Sequence, residues 1–91
     1  MDNRSVNRVK VVIHGMEYTL RGQAPTEHLY EVATMVDKMM SEIAATSAYM
    51  DDRRVAVLTA LNLADELQRL RHDYQQLVDL IDDKTRGDSS Q

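Results

Sequence analysis

Apolar and polar residues along this chain change period twice, and each change marks an element. Between Arg8 and Ile13 the period is two, with Val9, Val11 and Ile13 on one face and Arg8, Lys10 and Val12 on the other. That is the pattern of a strand. His14-Gly15-Met16-Glu17 interrupts it before a second β-favouring run, Tyr18-Thr19-Leu20-Arg21. Gly15 supplies the positive φ that a tight reversal needs. The pattern predicts a β-hairpin over 8–21. A hairpin alone is marginal in water, so this one must lie on a helix or pair with another copy through its open edges.

After Gly22-Gln23-Ala24-Pro25 the period becomes helical. Leu29, Val32, Ala33, Val36, Met39, Met40 and Ile43 are related by i, i+3 and i, i+4 spacings, which describes one stripe of an amphipathic helix. Met35 joins Met39 and Met40 as core-filling methionines rather than an adaptable binding groove. Thr26 is the expected N-cap, and Glu27 and Glu31 lie near the positive end of the dipole. The helix is expected over 26–45, and the hairpin and helix together form a head over 8–50. Residues 1–7 are expected to be a flexible N-terminus.

The third segment is the longest. Asp51 or Asp52 caps a helix expected to run to about Lys84, roughly 50 Å at 1.5 Å per residue. With Leu67 at heptad position a, Leu70 falls at d, Tyr74 at a, Leu77 at d and Ile81 at a. This is a coiled-coil seam, and Leu63 continues it backward. Glu66 at g and Arg71 at e would meet across a parallel pair. Upstream, Val55, Leu58 and Leu61 form a second apolar face. Residues 51–66 should therefore be sandwiched between the head and a partner, whereas 67–84 form a stalk with a single seam. Val78 and Leu80 widen that seam, as contact among more than two helices requires. The tail 85–91 offers nothing to bury and is expected to be disordered. The fold class is α+β: a hairpin-plus-helix head followed by a long C-terminal coiled-coil helix.

Composition narrows the function. Ninety-one residues suffice for one domain with a thin core, which a partner helix would thicken. Without cysteine, neither disulfides nor thiolate metal sites can form. No apolar run approaches the ~20 residues of a membrane span, and the polar N-terminus does not read as a signal peptide. A cytoplasmic protein is expected. The net charge of −4 argues against a general nucleic-acid binder. Arg8, Lys10 and Arg21 nevertheless make the hairpin locally basic, while acids predominate after Met50.

Catalytic and metal motifs are missing. His14, His28 and His72 have no second ligand at helical spacing and read as exposed histidines. Gly15, Gly22 and Gly87 are isolated, so no phosphate loop exists. Asn62, polar within an apolar run, reads as a buried amide fixing how the second helix meets the head. The sequence predicts no enzyme and no cofactor.

The strand with Ile13-His14-Gly15-Met16-Glu17-Tyr18, the helix Leu29–Ile43 and the segment Val55-Ala56-Val57-Leu58-Thr59-Ala60-Leu61-Asn62-Leu63 together resemble the ZapA family of bacterial cell-division proteins, in its short-stalk branch. The similarity spans about residues 8–82. The resemblance implies a homodimer with a βα head and a coiled-coil stalk, pairing into an antiparallel homotetramer. It also implies binding to FtsZ, the tubulin-like GTPase of the division ring, and cross-linking of its filaments at mid-cell. Charged head residues near the turn and the start of the long helix are the implied contacts. This chain departs from that pattern at Met16 and Glu17, where a basic turn residue would be expected.

The partner-binding residues are accordingly expected to be Arg8, Lys10, Glu17, Arg21, Arg53 and Arg54, and the self-association residues Leu63, Leu67, Leu70, Tyr74, Leu77 and Ile81. The competing reading is a small dimeric regulatory or nucleic-acid-binding protein that inserts the basic hairpin into a groove.

Overall fold

The computed structural model describes the backbone of residues 5–89 and the side chains of residues 5–84. Its elements follow one another as β1 (Asn7–Ile13), β2 (Met16–Gly22), α1 (Thr26–Ala44) and α2 (Asp52–Ser89). The chain divides into two units, Met1–Thr59 and Ala60–Gln91. The first holds the hairpin, α1 and the opening turns of α2; the second continues α2.

β1 and β2 pair antiparallel, from Asn7 opposite Gly22 to Ile13 opposite Met16. His14 and Gly15 both have positive φ, 52° and 81°, as a type I′ turn demands, because its twist matches that of the flanking strands. The ladder reaches one residue further at its open end than expected. Asn7, assigned to a flexible N-terminus, instead starts β1, and its Nδ2 donates to the Ala24 carbonyl at 2.7 Å. That bond holds the strand's start to the loop before α1.

The strand alternation holds. Val9 and Val11 are buried and Ile13 half-buried, while Arg8, Lys10 and Val12 are exposed. α1 packs against β1, and Val9, Val11 and Ala33 form the head core with Ile13, Leu20 and Leu29 at its margin. The stripe on α1 is narrower than its apolar pattern. Ala33 and Met40 are buried and Leu29, Val36, Met39 and Ile43 half-buried, but Val32 and Met35 are exposed. A two-stranded sheet covers only one line of a helix, so Met35 is not the core residue expected of it.

Helix starts differ in their caps. Thr26 is not the N-cap of α1: Pro25 holds that position without a side-chain cap bond, and its carbonyl accepts from the Leu29 N–H at 3.1 Å. Proline fixes φ near the required value and lacks the N–H that would otherwise be orphaned. At α2, Asp51 is the cap, its Oδ1 accepting from the Arg54 N–H at 2.8 Å. α1 ends at Ala44, with Ala45 at the C-cap.

The start of α2 buries Val55, 1% exposed, and Thr59. Thr59 keeps its hydroxyl satisfied by donating to the Val55 carbonyl at 2.8 Å. The buried row therefore runs at a spacing of four, 55 to 59, and not through Leu61 as expected. Leu61 is exposed, and so is Asn62, which is not a buried amide in the single chain.

In the second unit, Asp65 pairs with Arg69 at 2.9 Å, and Gln75 donates to Asp79 at 3.0 Å. Both are i,i+4 contacts that stabilise a helix surface. The helix also continues to Ser89, past the expected stop at Lys84, so residues 85–89 are not the disordered tail predicted. Extending an existing helix adds a hydrogen bond per residue with no new nucleation cost. Residues 90–91 of that predicted tail, and residues 1–4, lie outside the described residues.

Candidate interaction surfaces

Directly opposite residues in a sheet point to the same face, so the ladder sorts the hairpin's side chains. The inner face carries Val9, Val11 and Ile13 against Leu20, Tyr18 and Met16. α1 covers its β1 half. Met16 and Tyr18, 55% and 47% exposed, are left open on the β2 half. A cleft of about 240 Å³ lies beside them, lined by Ile13, Met16, Tyr18, Met40, Arg53 and Ala56 among others. Parity across a two-residue turn would have placed Met16 and Tyr18 on the core face. Their exposure could not be read from it, because α1's reach is set by packing.

The turn above this cleft is tied to both helices. The His14 backbone N–H donates to Asp37 Oδ1 at 2.7 Å, and the His14 ring Nε2 lies 3.2 Å from Asp52 Oδ1. His14 is thus not the unattached surface histidine that its place in the sequence suggested. With positive φ at the turn, its N–H points toward α1, where a carboxylate replaces the lost ladder partner. The ring contact is solvent-accessible on the aspartate side, so it contributes little energy and mainly restrains the turn.

The six residues expected to meet a partner fall into two groups. Arg8, Lys10, Glu17 and Arg21 are exposed on the outer hairpin face, with Arg8 opposite Arg21 and Glu17 opposite Val12. Arg53 and Arg54 occupy the first turn of α2, and Arg53 lines the cleft beside Met16 and Tyr18 on the inner side. The hairpin therefore separates Arg53 from the outer-face cations.

The second unit presents the expected seam. Leu67, Leu70, Tyr74, Leu77 and Ile81 are all exposed, between 48% and 68%. Leu63 is half-buried, as is Val78, while Leu80 is exposed. Large apolar side chains repeated along one helix face at such exposure are more than the scattered surface apolar residues of a monomer. Among the described residues no group of three metal-ligating side chains exists, and no helix is long and apolar enough to cross a membrane.

Comparison with known proteins decides among families that share so simple an architecture. The family model of the cell division protein ZapA matches residues 9–87. The chain belongs to the ZapA family. A ZapA cell division protein from Geobacillus kaustophilus is 33% identical over 88 residues, covering 97% of each chain. One from Shouchella clausii is 37% identical over 73 residues, 80% of this chain and 94% of the relative. One from Halalkalibacterium halodurans reaches 40% over 67 residues, 74% of each. Among solved structures, a ZapA mutant dimer from Geobacillus stearothermophilus superposes with a TM-score of 0.72 at 34% identity, covering 89% of this chain and 94% of that one. The resemblance noted from the hairpin, α1 and the Val55–Leu63 segment is borne out, and with it the α+β fold and a place in cell division.

Proposed function

We propose that this ZapA-family protein acts without chemistry of its own, self-associating through α2 and cross-linking FtsZ filaments at the mid-cell division site. The observation that carries this reading is the row Leu67, Leu70, Tyr74, Leu77 and Ile81, exposed at a and d spacing on one helix face. Burying each such side chain contributes about 1.5–3 kcal/mol, so a handful per protomer offsets the cost of association. The thin head supports the same reading. Among the described residues only Val9, Val11, Ala33, Met40, Val55 and Thr59 are buried, which is little core for a chain of this length. A dimer adds buried area where the single chain lacks it, and the related solved structure is a dimer by name.

Leu63 begins the seam, and Val78 and Leu80 broaden it enough for two dimers to pair into a tetramer. Arg8, Lys10, Glu17, Arg21, Arg53 and Arg54 are the head's partner contacts. Two heads per dimer, or four per tetramer, raise avidity without requiring a tight single contact.

The test is co-sedimentation of FtsZ filaments with the wild-type chain and with Leu77→Glu. Bundles pelleted by the wild type should be largely lost with the variant, while single-head binding persists. Equal bundling by both would overturn bridging through the seam.

A further inference from the structure

The hairpin's outer face and the free edge of β1 together form a surface that bridging through α2 does not use. In a two-residue hairpin the pair flanking the turn is hydrogen-bonded, and bonded and non-bonded pairs then alternate. Ile13–Met16, Val11–Tyr18 and Val9–Leu20 are the bonded pairs by this rule. The backbone groups of Arg8, Lys10 and Val12 therefore point away from β2, along an edge that no other strand occupies among the described residues.

Two features define what this edge would accept. Arg8 and Arg21 form a non-bonded pair, where cross-strand side chains approach most closely, and Lys10 stands two residues along the same face. Like charges directly opposite are destabilising, and none of the three cations forms an ion pair among the described residues. Beside the edge, on the inner side, a cleft of about 280 Å³ runs between β1 and Tyr30, Ala33 and Thr34 of α1. Asp37 lies at its turn end, already accepting from the His14 N–H. The edge thus has cations above it and, below it, a cleft of mixed lining in which Val11, Tyr30 and Ala33 are the apolar part.

We propose that the β1 edge takes an extended acidic segment of a partner protein as a third strand. Residues of that strand facing outward carry carboxylates to Arg8, Lys10 and Arg21, and the alternate residues are apolar and enter the cleft against Tyr30 and Ala33. Main-chain bonds to Arg8, Lys10 and Val12 supply affinity, and the alternation supplies specificity. The proposal rests on the reading that the head carries the partner contacts.

The probe is a fluorescein-labelled octapeptide of alternating Glu and Val, followed by anisotropy, with backbone amide exchange of the head recorded by NMR. Binding should slow exchange at Lys10 and Val12, and Lys10→Glu should weaken it by roughly tenfold, as loss of a facing charge does. Lys10→Gln, with circular dichroism to check folding, separates loss of attraction from misfolding and should fall between. Equal binding by a peptide N-methylated on its edge-facing amides would overturn strand addition. Binding of the Lys-Val peptide, or of an octathymidine with equal strength, would overturn the acidic-peptide assignment. Lys10 and Val12 amides protected before peptide is added would overturn it too, placing a second copy on the edge. Lost FtsZ bundling with peptide binding intact refutes bridging alone; intact bundling without peptide binding refutes the strand-addition proposal alone.

Discussion

The two units of this chain carry similar apolar stripes and treat them differently. In Met1–Thr59 the alternating Val9 and Val11 meet Ala33 of α1, and Val55 is buried almost completely. In Ala60–Gln91 the residues are as large and as regularly spaced, yet Leu70 and Tyr74 remain about two-thirds exposed, at 66% and 68%. Periodicity prepares a face for burial without specifying whose surface buries it. The first unit supplies its own cover from a sheet and a second helix. The second is one helical segment, and a single helix cannot bury its own stripe.

Substitutions can separate these two kinds of stripe. The largest effect is expected at the seam. Leu77→Glu removes about 1.5–3 kcal/mol of burial from each protomer, so a dimer should weaken by more than roughly 100-fold. Sedimentation equilibrium over a range of concentrations measures this, and far-ultraviolet circular dichroism at high concentration should show the hairpin and α1 retained. A wild-type chain that is monomeric at every concentration would mean that the exposed stripe is not a self-association seam.

In the head the matching experiment is Val55→Ala, which leaves a void in the most completely buried position. A loss of about 2 kcal/mol in the stability of the first unit is expected by denaturant titration. The mass at saturating concentration should not change. An equal loss of self-association would mean that the two stripes belong to one cooperative structure.

Smaller still is Asp51→Ala, which removes the acceptor of the Arg54 N–H. It should cost about 1 kcal/mol, read as a lower midpoint of thermal unfolding. At the bottom of the scale, Asp65→Asn breaks the exposed contact to Arg69 and should change stability by under ~0.5 kcal/mol, less at high salt. A large effect there would mean that the pair contacts a neighbouring chain.

Much of the fold was legible in particular residues. The Val9-Val11-Ile13 alternation and Gly15 identified the hairpin, and Asp51 was among the caps expected for α2. The limits were those of local reasoning. Thr26 looked like a cap because its side chain can accept from the helix start, but Pro25 occupies the position. Val32 and Met35 satisfy the helical period, but β1 is too narrow to cover them. His14 looked unattached because its partners, Asp37 and Asp52, are 23 and 38 residues away. The candidate surfaces divide in the same way. The exposure of Arg8, Lys10 and Arg21 followed from strand parity, whereas the open Met16 and Tyr18 depended on where α1 stops covering the sheet.

Element order, the two periods, the tight reversal at Gly15 and the family were all written in the order of residues, because each depends on neighbours within a few positions or on the pattern as a whole. Which half of the hairpin α1 covers, which side chain in the turn is tied down and the place of Arg53 at the inner cleft were settled by contacts between segments far apart in the chain. Burial is a property of two surfaces meeting. A stripe's period announces one of them; its partner's width and position come only with the folded chain.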